Sequence, residues 1–160
     1  MHREMRRKDR QITHDEAMEL LKNAEYGTLA TVNADNMPYA VPLNHVVDNN
    51  TIYFHMARQG QKLENIMKNP NVMFTVIGTT EPVKEEDSYS TFFESAMAFG
   101  KARIVEDLDE GKRALYILTE KYFPNDMDMF EKSTTGDWMA RLYVIAMDIE
   151  HVSGKAKRKI

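Results

Sequence analysis

Between residues 28 and 56 the chain alternates short β-type runs with turn residues and leaves no length for a helix between them. The runs Thr28–Asn33, Tyr39–Val47 and Thr51–Met56 carry the branched and aromatic side chains that suit a pleated surface. Asp35-Asn36-Met37-Pro38 and Asp48-Asn49-Asn50 separate them with residues that favour turns. Parallel neighbours need a crossover of a dozen residues or more, so strands linked this tightly pair antiparallel. A doubly wound βαβ sheet is thereby excluded for this region.

The flanking segments fit the same picture. Thr13 and Glu16 form a capping box, and Ala17, Leu20, Leu21 and Ala24 recur at helical spacing, which predicts a helix over 14–24 ended by Gly27. Leu63, Ile66 and Met67 predict a short helix over Gln61–Lys68, stopped by Asn69-Pro70. Asn71–Ile77 reads as a strand, Thr79–Ser90 as a polar loop, and Phe92–Val105 as a long strand with a bulge at Gly100. Asp107 caps a helix over Leu108–Tyr122, Asp126–Lys132 adds a helical turn, and Arg141–Val152 is a last strand. The expected fold is mainly β with helices (α+β): a six-stranded antiparallel barrel in one domain spanning 1–160.

Composition narrows the chemistry. The 160 residues contain no Cys, which excludes disulfides and thiolate chemistry. The net charge of −4 argues against general nucleic-acid binding. No apolar run reaches the length of a membrane span, and the expected location is cytoplasmic, without membrane partners. Basic residues gather in an N-terminal arm (1–12) and a C-terminal tail (154–160), either solvated or folded over an anion or a partner subunit.

Chemistry concentrates where the third run meets the short helix. Arg58 and Gly60 lie in the loop, and Lys62 stands in the first helical turn, whose free N–H groups attract anions. A phosphate site and a merely solvated basic loop both fit this pattern. Pro42 cannot donate to a ladder, so its strand belongs at an edge. A three-residue turn at 48–50 would pair Leu43 with His55. It would put His45 beside His55 on one face of the hairpin, with Val46, Ile52 and Phe54 on the core face. Two histidines without a third ligand do not make a metal site. Trp138 and Arg141 offer an aromatic–cation pair able to cover a flat ring, or Trp138 is a core anchor.

Taken together, these segments resemble the FMN-binding split-barrel superfamily that includes the pyridoxamine 5′-phosphate oxidases, and within it the nitroimidazole-resistance (Nim-type) branch. The resemblance rests on Arg6-Arg7-Lys8-Asp9-Arg10, Gly27-Thr28-Leu29-Ala30-Thr31 and Pro38-Tyr39-Ala40-Val41-Pro42-Leu43-Asn44. It continues through Ile52-Tyr53-Phe54-His55 with Gly60 and Lys62, then Glu94-Ser95, Gly100-Lys101-Ala102 and Gly154-Lys155. It implies a homodimer with FMN in a cleft between two barrels. The flavin ring would lie against Val41, Pro42, Leu43 and Asn44, and the phosphate at Met56, Ala57, Gln61 and Lys62. Arg58 and Gly60 would line that loop, and Ser95 would be a further polar contact. His55 takes the place of the Nim-type histidine and is the candidate catalytic residue. The implied activity is flavin-dependent reduction of small electron-poor molecules such as nitroimidazoles, with NAD(P)H as a possible donor. The alternative is a non-catalytic flavin or haem carrier, with His45 or His55 as the haem ligand. Ser88 stands where many relatives carry Cys, and His45 where an aromatic residue is common. The vitamin B6 substrate residues are not recognisable.

Overall fold

Thr13 opens the first helix as the sequence predicts. Its hydroxyl accepts from the Glu16 N–H, and the Glu16 carboxylate accepts from the Thr13 N–H. The computed structural model describes residues 3–159. In chain order these form α1 (His14–Asn23), β1 (Gly27–Val32), β2 (Pro38–Leu43), β3 (Val46–Asp48), β4 (Thr51–Met56), α2 (Gln61–Lys68), β5 (Asn71–Lys84), β6 (Tyr89–Ile104), α3 (Leu108–Tyr122), α4 (Met127–Ser133) and β7 (Tyr143–Lys157). Met1 and His2 of the expected basic arm, and Ile160 of the expected tail, lie outside the described residues.

All seven strands join one antiparallel sheet, in the order β2-β1-β5-β6-β7-β4-β3. The expected count of six is corrected to seven because the run 39–47 is two strands. Its first half pairs with β1 at one edge of the sheet, and its second half pairs with β4 at the other. Laid flat, those edges would stand about 29 Å apart. The link Asn44-His45 spans at most about 11 Å between Leu43 and Val46. The sheet must therefore curl until its edges approach, which gives a barrel left split at that seam. Pro42 does sit on an edge strand, where its missing N–H leaves no gap in a ladder.

The barrel interior is filled by Leu29, Ile52, Phe54, Phe74, Ile145 and Met147, all fully buried. Helix α1 plugs one end with Ala17 and Leu21. Helix α2 contributes Leu63 and Ile66, and the Asn65 amide donates to the buried Thr31 hydroxyl at 2.9 Å.

The hairpin register differs from expectation by one residue. Val46 pairs with Tyr53 and Asp48 with Thr51, so the turn is Asn49-Asn50, with Asn49 at φ 51°. A slip of one residue exchanges the faces of a strand. Val47, not Val46, packs on the barrel core, while Ile52 and Phe54 keep their expected place.

Two strands, β5 and β7, run further than expected. The expected loop 79–90 is mostly ladder: Thr80 pairs with Phe93 and Lys84 with Tyr89, leaving a tight turn at 85–88. Its residues are polar because this hairpin arm has little core on either face, and backbone pairing holds it. Residues 154–157 of the expected tail continue β7, with Ala156 opposite Glu94. Beyond them Arg158 is tied to Glu16 and Glu94 at 2.7 Å each. The bulge expected at Gly100 is present, and a Cβ there would lie 2.0 Å from the Asp148 carbonyl oxygen.

Candidate functional site

The outer face of β4 and β7 carries Tyr53, Val144 and Ala146, which pack with Val105, Ala114 and Trp138 in a second, smaller cluster under α3. Helix α3 is pinned at both ends. Near its start Glu110 accepts from the Tyr53 hydroxyl at 2.9 Å and from both Arg103 amino groups at 2.7 and 3.0 Å. Burial and the Glu110 charge push the Tyr53 phenol up to about 12, and Arg103 holds the Glu110 carboxyl below its usual range. At the other end Tyr122 accepts from the His45 N–H at 3.0 Å, and its hydroxyl lies 2.5 Å from the Glu25 carbonyl. Lys121 donates to the Ala24 and His45 carbonyls at 2.8 and 3.0 Å, and burial lowers its pKa to about 8. The last turn of α3 thus clamps the Asn44-His45 link that closes the barrel.

Between these anchors helix and sheet separate, leaving a cleft of about 440 Å³. Leu115, Leu118, Thr119 and Tyr122 of α3 form one wall, and Asn44 and His55 belong to the opposite side. Phe130 from α4 and the segment Trp138–Leu142 close it. Of the residues singled out in the sequence, Asn44, His55, Trp138 and Arg141 meet here. The α3 wall was not anticipated as part of a site. Its spacing of i, i+3, i+4 and i+7 was the available signal, since such a stripe must face something.

The two histidines separate. His55 projects from the outer face of β4, opposite Val144, into the cleft. Burial, then the nearby Lys62 charge, lowers its pKa from the ordinary histidine value. His45 is fully buried inside, its ring tilted against that of Phe74 with centroids 4.6 Å apart. Its Nε2 lies 2.6 Å from the Leu21 carbonyl oxygen, which requires the proton on Nε2 and leaves Nδ1 without a partner. Burial lowers its pKa to about 4. His45 and His55 therefore do not share a face, and His45 is removed as a candidate haem ligand. Among the described residues no cluster of potential metal ligands occurs.

The basic loop is divided in the same way. Gly60 takes φ 119°, a conformation side chains resist, and its carbonyl accepts from Leu63 and Glu64. The N–H groups of Gln61 and Lys62 precede those first helical bonds and remain available. Gln61 is exposed and Lys62 half-buried. Arg58 is committed elsewhere: it donates to the Met139 carbonyl at 2.7 Å and the Tyr143 hydroxyl at 2.8 Å, and stacks on the Tyr143 ring at 4.3 Å. Ala57 is exposed, and Met56 is buried in the core, so only its backbone can serve a ligand. Val41 and Leu43 turn inward opposite Leu29 and Gly27, whereas Pro42 faces out opposite Thr28. Ser95 lies on β6 between Ile77 and Lys155 and does not line the cleft. The expected Trp138–Arg141 stack is replaced by two separate roles. Trp138 is 3% exposed in the second cluster, and Arg141 donates to the Ser133 carbonyl at 2.5 Å.

A curled antiparallel sheet, split at one seam and with a cleft against its outer face, defines the split-barrel class of proteins. The chain belongs to the pyridoxamine 5′-phosphate oxidase family, whose model matches residues 13–156. Among solved structures it is similar to a proposed 5-nitroimidazole antibiotic resistance protein from Bacteroides thetaiotaomicron. That match has 26% identity and TM-score 0.78, covering 91% of this chain and 85% of the other. It also shares its fold with an FAD- and heme-binding protein from Mycobacterium smegmatis (19% identity, TM-score 0.81, 94% and 74% covered). A third is the flavocytochrome Anf3 from Azotobacter vinelandii (13% identity, TM-score 0.80, 98% and 73% covered). No curated protein matches the sequence significantly. Among the described residues no helix is long and apolar enough to cross a membrane.

Proposed function

We propose that this protein binds FMN and works as a flavin-dependent reductase of small electron-poor molecules such as nitroimidazoles. The observation that carries the reading is the meeting, at one end of β4, of three parts: Asn44 just past the edge strand β2, His55, and the open start of α2 with Lys62. The free N–H groups of Gln61 and Lys62, the positive helix end and the lysine fit a phosphate. Gly60 admits it without a side chain in the way: nothing lies within 4 Å of where its Cβ would be. The outward Pro42 and the backbone around it suit a flat ring, because among the described residues no strand pairs on that edge. When bound, the flavin would supply the electron transfer. The residues of the chain would bind and orient it, and His55 would hand a proton to the reduced product at its ring nitrogen. Its lowered pKa means that this proton is more available as pH falls below the ordinary histidine range.

A homodimer completes the reading. The outer face of β1, β5 and β6 presents Ala30, Met73 and Met97, and the N-terminal arm borders it at Met5 and Lys8. Ser95 lies on this face, so it would serve a flavin only from a second copy. The family membership and the flavin-binding relatives support the cofactor. A non-catalytic flavin or haem carrier is the rival, and of its two expected haem ligands only His55 remains. An absorbance spectrum of the purified protein decides between them. Flavin bands that bleach with NADH or NADPH and return on adding a nitroimidazole establish the reductase. Flavin bands without reoxidation indicate a carrier, a Soret band indicates haem, and a colourless protein that takes up neither removes the proposal.

A further inference from the structure

The cleft has a charge balance unlike that of the chain around it. The protein carries 25 Asp and Glu residues and a net charge of −4, yet among the described residues no carboxylate lines the cleft. Its ionisable lining is Arg141, His55 and the Tyr122 hydroxyl, which already serves the link. Arg141 differs from Arg103, Arg113 and Arg158, each tied to acidic partners. Among the described residues Arg141 has no acidic partner, and one of its nitrogens is taken by the Ser133 carbonyl. The rest of the guanidinium fork stays open to a planar group with two oxygens. Arg141 lies three residues before Val144, the strand partner of His55. Between them the wall is apolar, from Leu115 and Leu118 to Phe130. A slot of this size matches the range of small-molecule sites.

We infer that this cleft seats a flat aromatic carboxylate, with its carboxylate on Arg141 and the far end of the ring directed at His55. This goes beyond the flavin reading by assigning a seat to the second reactant, and as a binding event it stands whether or not a cofactor is held. A carboxylate fits better than a neutral ring because it pairs with the part of the Arg141 fork that the Ser133 carbonyl leaves open. Para-substituted rings would present their second substituent to His55.

Trp138 provides the test, because it is the only tryptophan of the chain and lines the cleft. The purified protein, with and without added FMN, is titrated with 4-nitrobenzoate and with nitrobenzene while Trp138 fluorescence is followed. Saturable quenching by 4-nitrobenzoate is expected, weakened roughly ten-fold or more in Arg141→Leu, with nitrobenzene affected equally little in both proteins. Thr119→Phe, which fills the slot, is expected to abolish saturation by both compounds. Absence of saturable quenching in the unmodified protein, or unchanged 4-nitrobenzoate affinity in Arg141→Leu, overturns the inference. Saturable, Arg141-dependent quenching in a protein that takes up no FMN supports the cleft and removes only the flavin reading.

Discussion

The inside of the barrel and the space under α3 are built from the same strands, β4 and β7, used on opposite faces. Inside, Phe54, Phe74, Ile145 and Met147 meet with no exposure, and even a histidine is sealed in. Outside, Trp138, Ala114 and Val144 pack as tightly near the start of α3, but between its two anchors helix and sheet separate and leave about 440 Å³. The contrast follows from how each is closed. The barrel is drawn shut by a covalent link and continuous ladders, which force side chains into contact. The outer layer is one helix held by polar anchors at its two ends, and anchors fix a distance without requiring the middle to fill. Room for a ligand therefore lies outside the barrel, beside His55, and not within it.

The largest expected effect breaks or confirms this contrast. Phe74→Ala should lower unfolding free energy by about 4 kcal/mol, whereas Leu115→Ala on the half-buried cleft wall should lose about 1 kcal/mol. Urea denaturation of both variants measures the gap, and equal losses would mean the outer layer is as closed as the interior.

The two histidines sharpen it by pH. His45 has a folded pKa of about 4 against an ordinary value of 6.5, so below pH 6.5 the unfolded chain takes up a proton that the folded protein refuses. Stability present above pH 6.5 should fall as pH drops toward 4, by up to about 3 kcal/mol from this group. The Glu16 carboxyl, lowered to about 2, contributes its own loss only below about pH 4.5, which leaves the upper part of the window to histidine. Urea titrations at pH 7 and 5 measure the loss, and His45→Leu should flatten it. His55→Ala should leave unfolding nearly unchanged while slowing turnover of a nitro substrate by the flavin-loaded protein.

Smaller effects follow at the edges of the cleft. Lys62→Ala should weaken FMN binding by about 1–3 kcal/mol, the worth of a charge-assisted hydrogen bond, read by equilibrium titration of flavin fluorescence. Tyr122→Phe should lose about 1 kcal/mol of stability by releasing the link at His45, measured by thermal unfolding.

Much of the architecture could be read locally. The capping residues Thr13 and Asp107 set the starts of α1 and α3, because a cap acts within four residues of itself. Alternation placed Ile52 and Phe54 inside, and Pro42 announced an edge. Of the residues singled out in the sequence, Asn44, His55, Trp138 and Arg141 line one cleft. The misread features share one cause. The division of 39–47, the hairpin register and the polar arm of β5 and β6 depend on which strand lies alongside, and a partner far along the chain leaves no mark on local composition.

By itself, then, the amino-acid order determined the helices, the turns, an antiparallel sheet and the basic start of α2, since each rests on residues a few positions apart. Only tertiary structure decided that His45 is sealed in while His55 opens to a cleft, that Arg58 is spent on Tyr143, and that Arg141 is left facing the space under α3. Those outcomes hang on a one-residue register and on how far a helix pinned at both ends stands from a sheet. Both are set by contacts between elements distant in the chain.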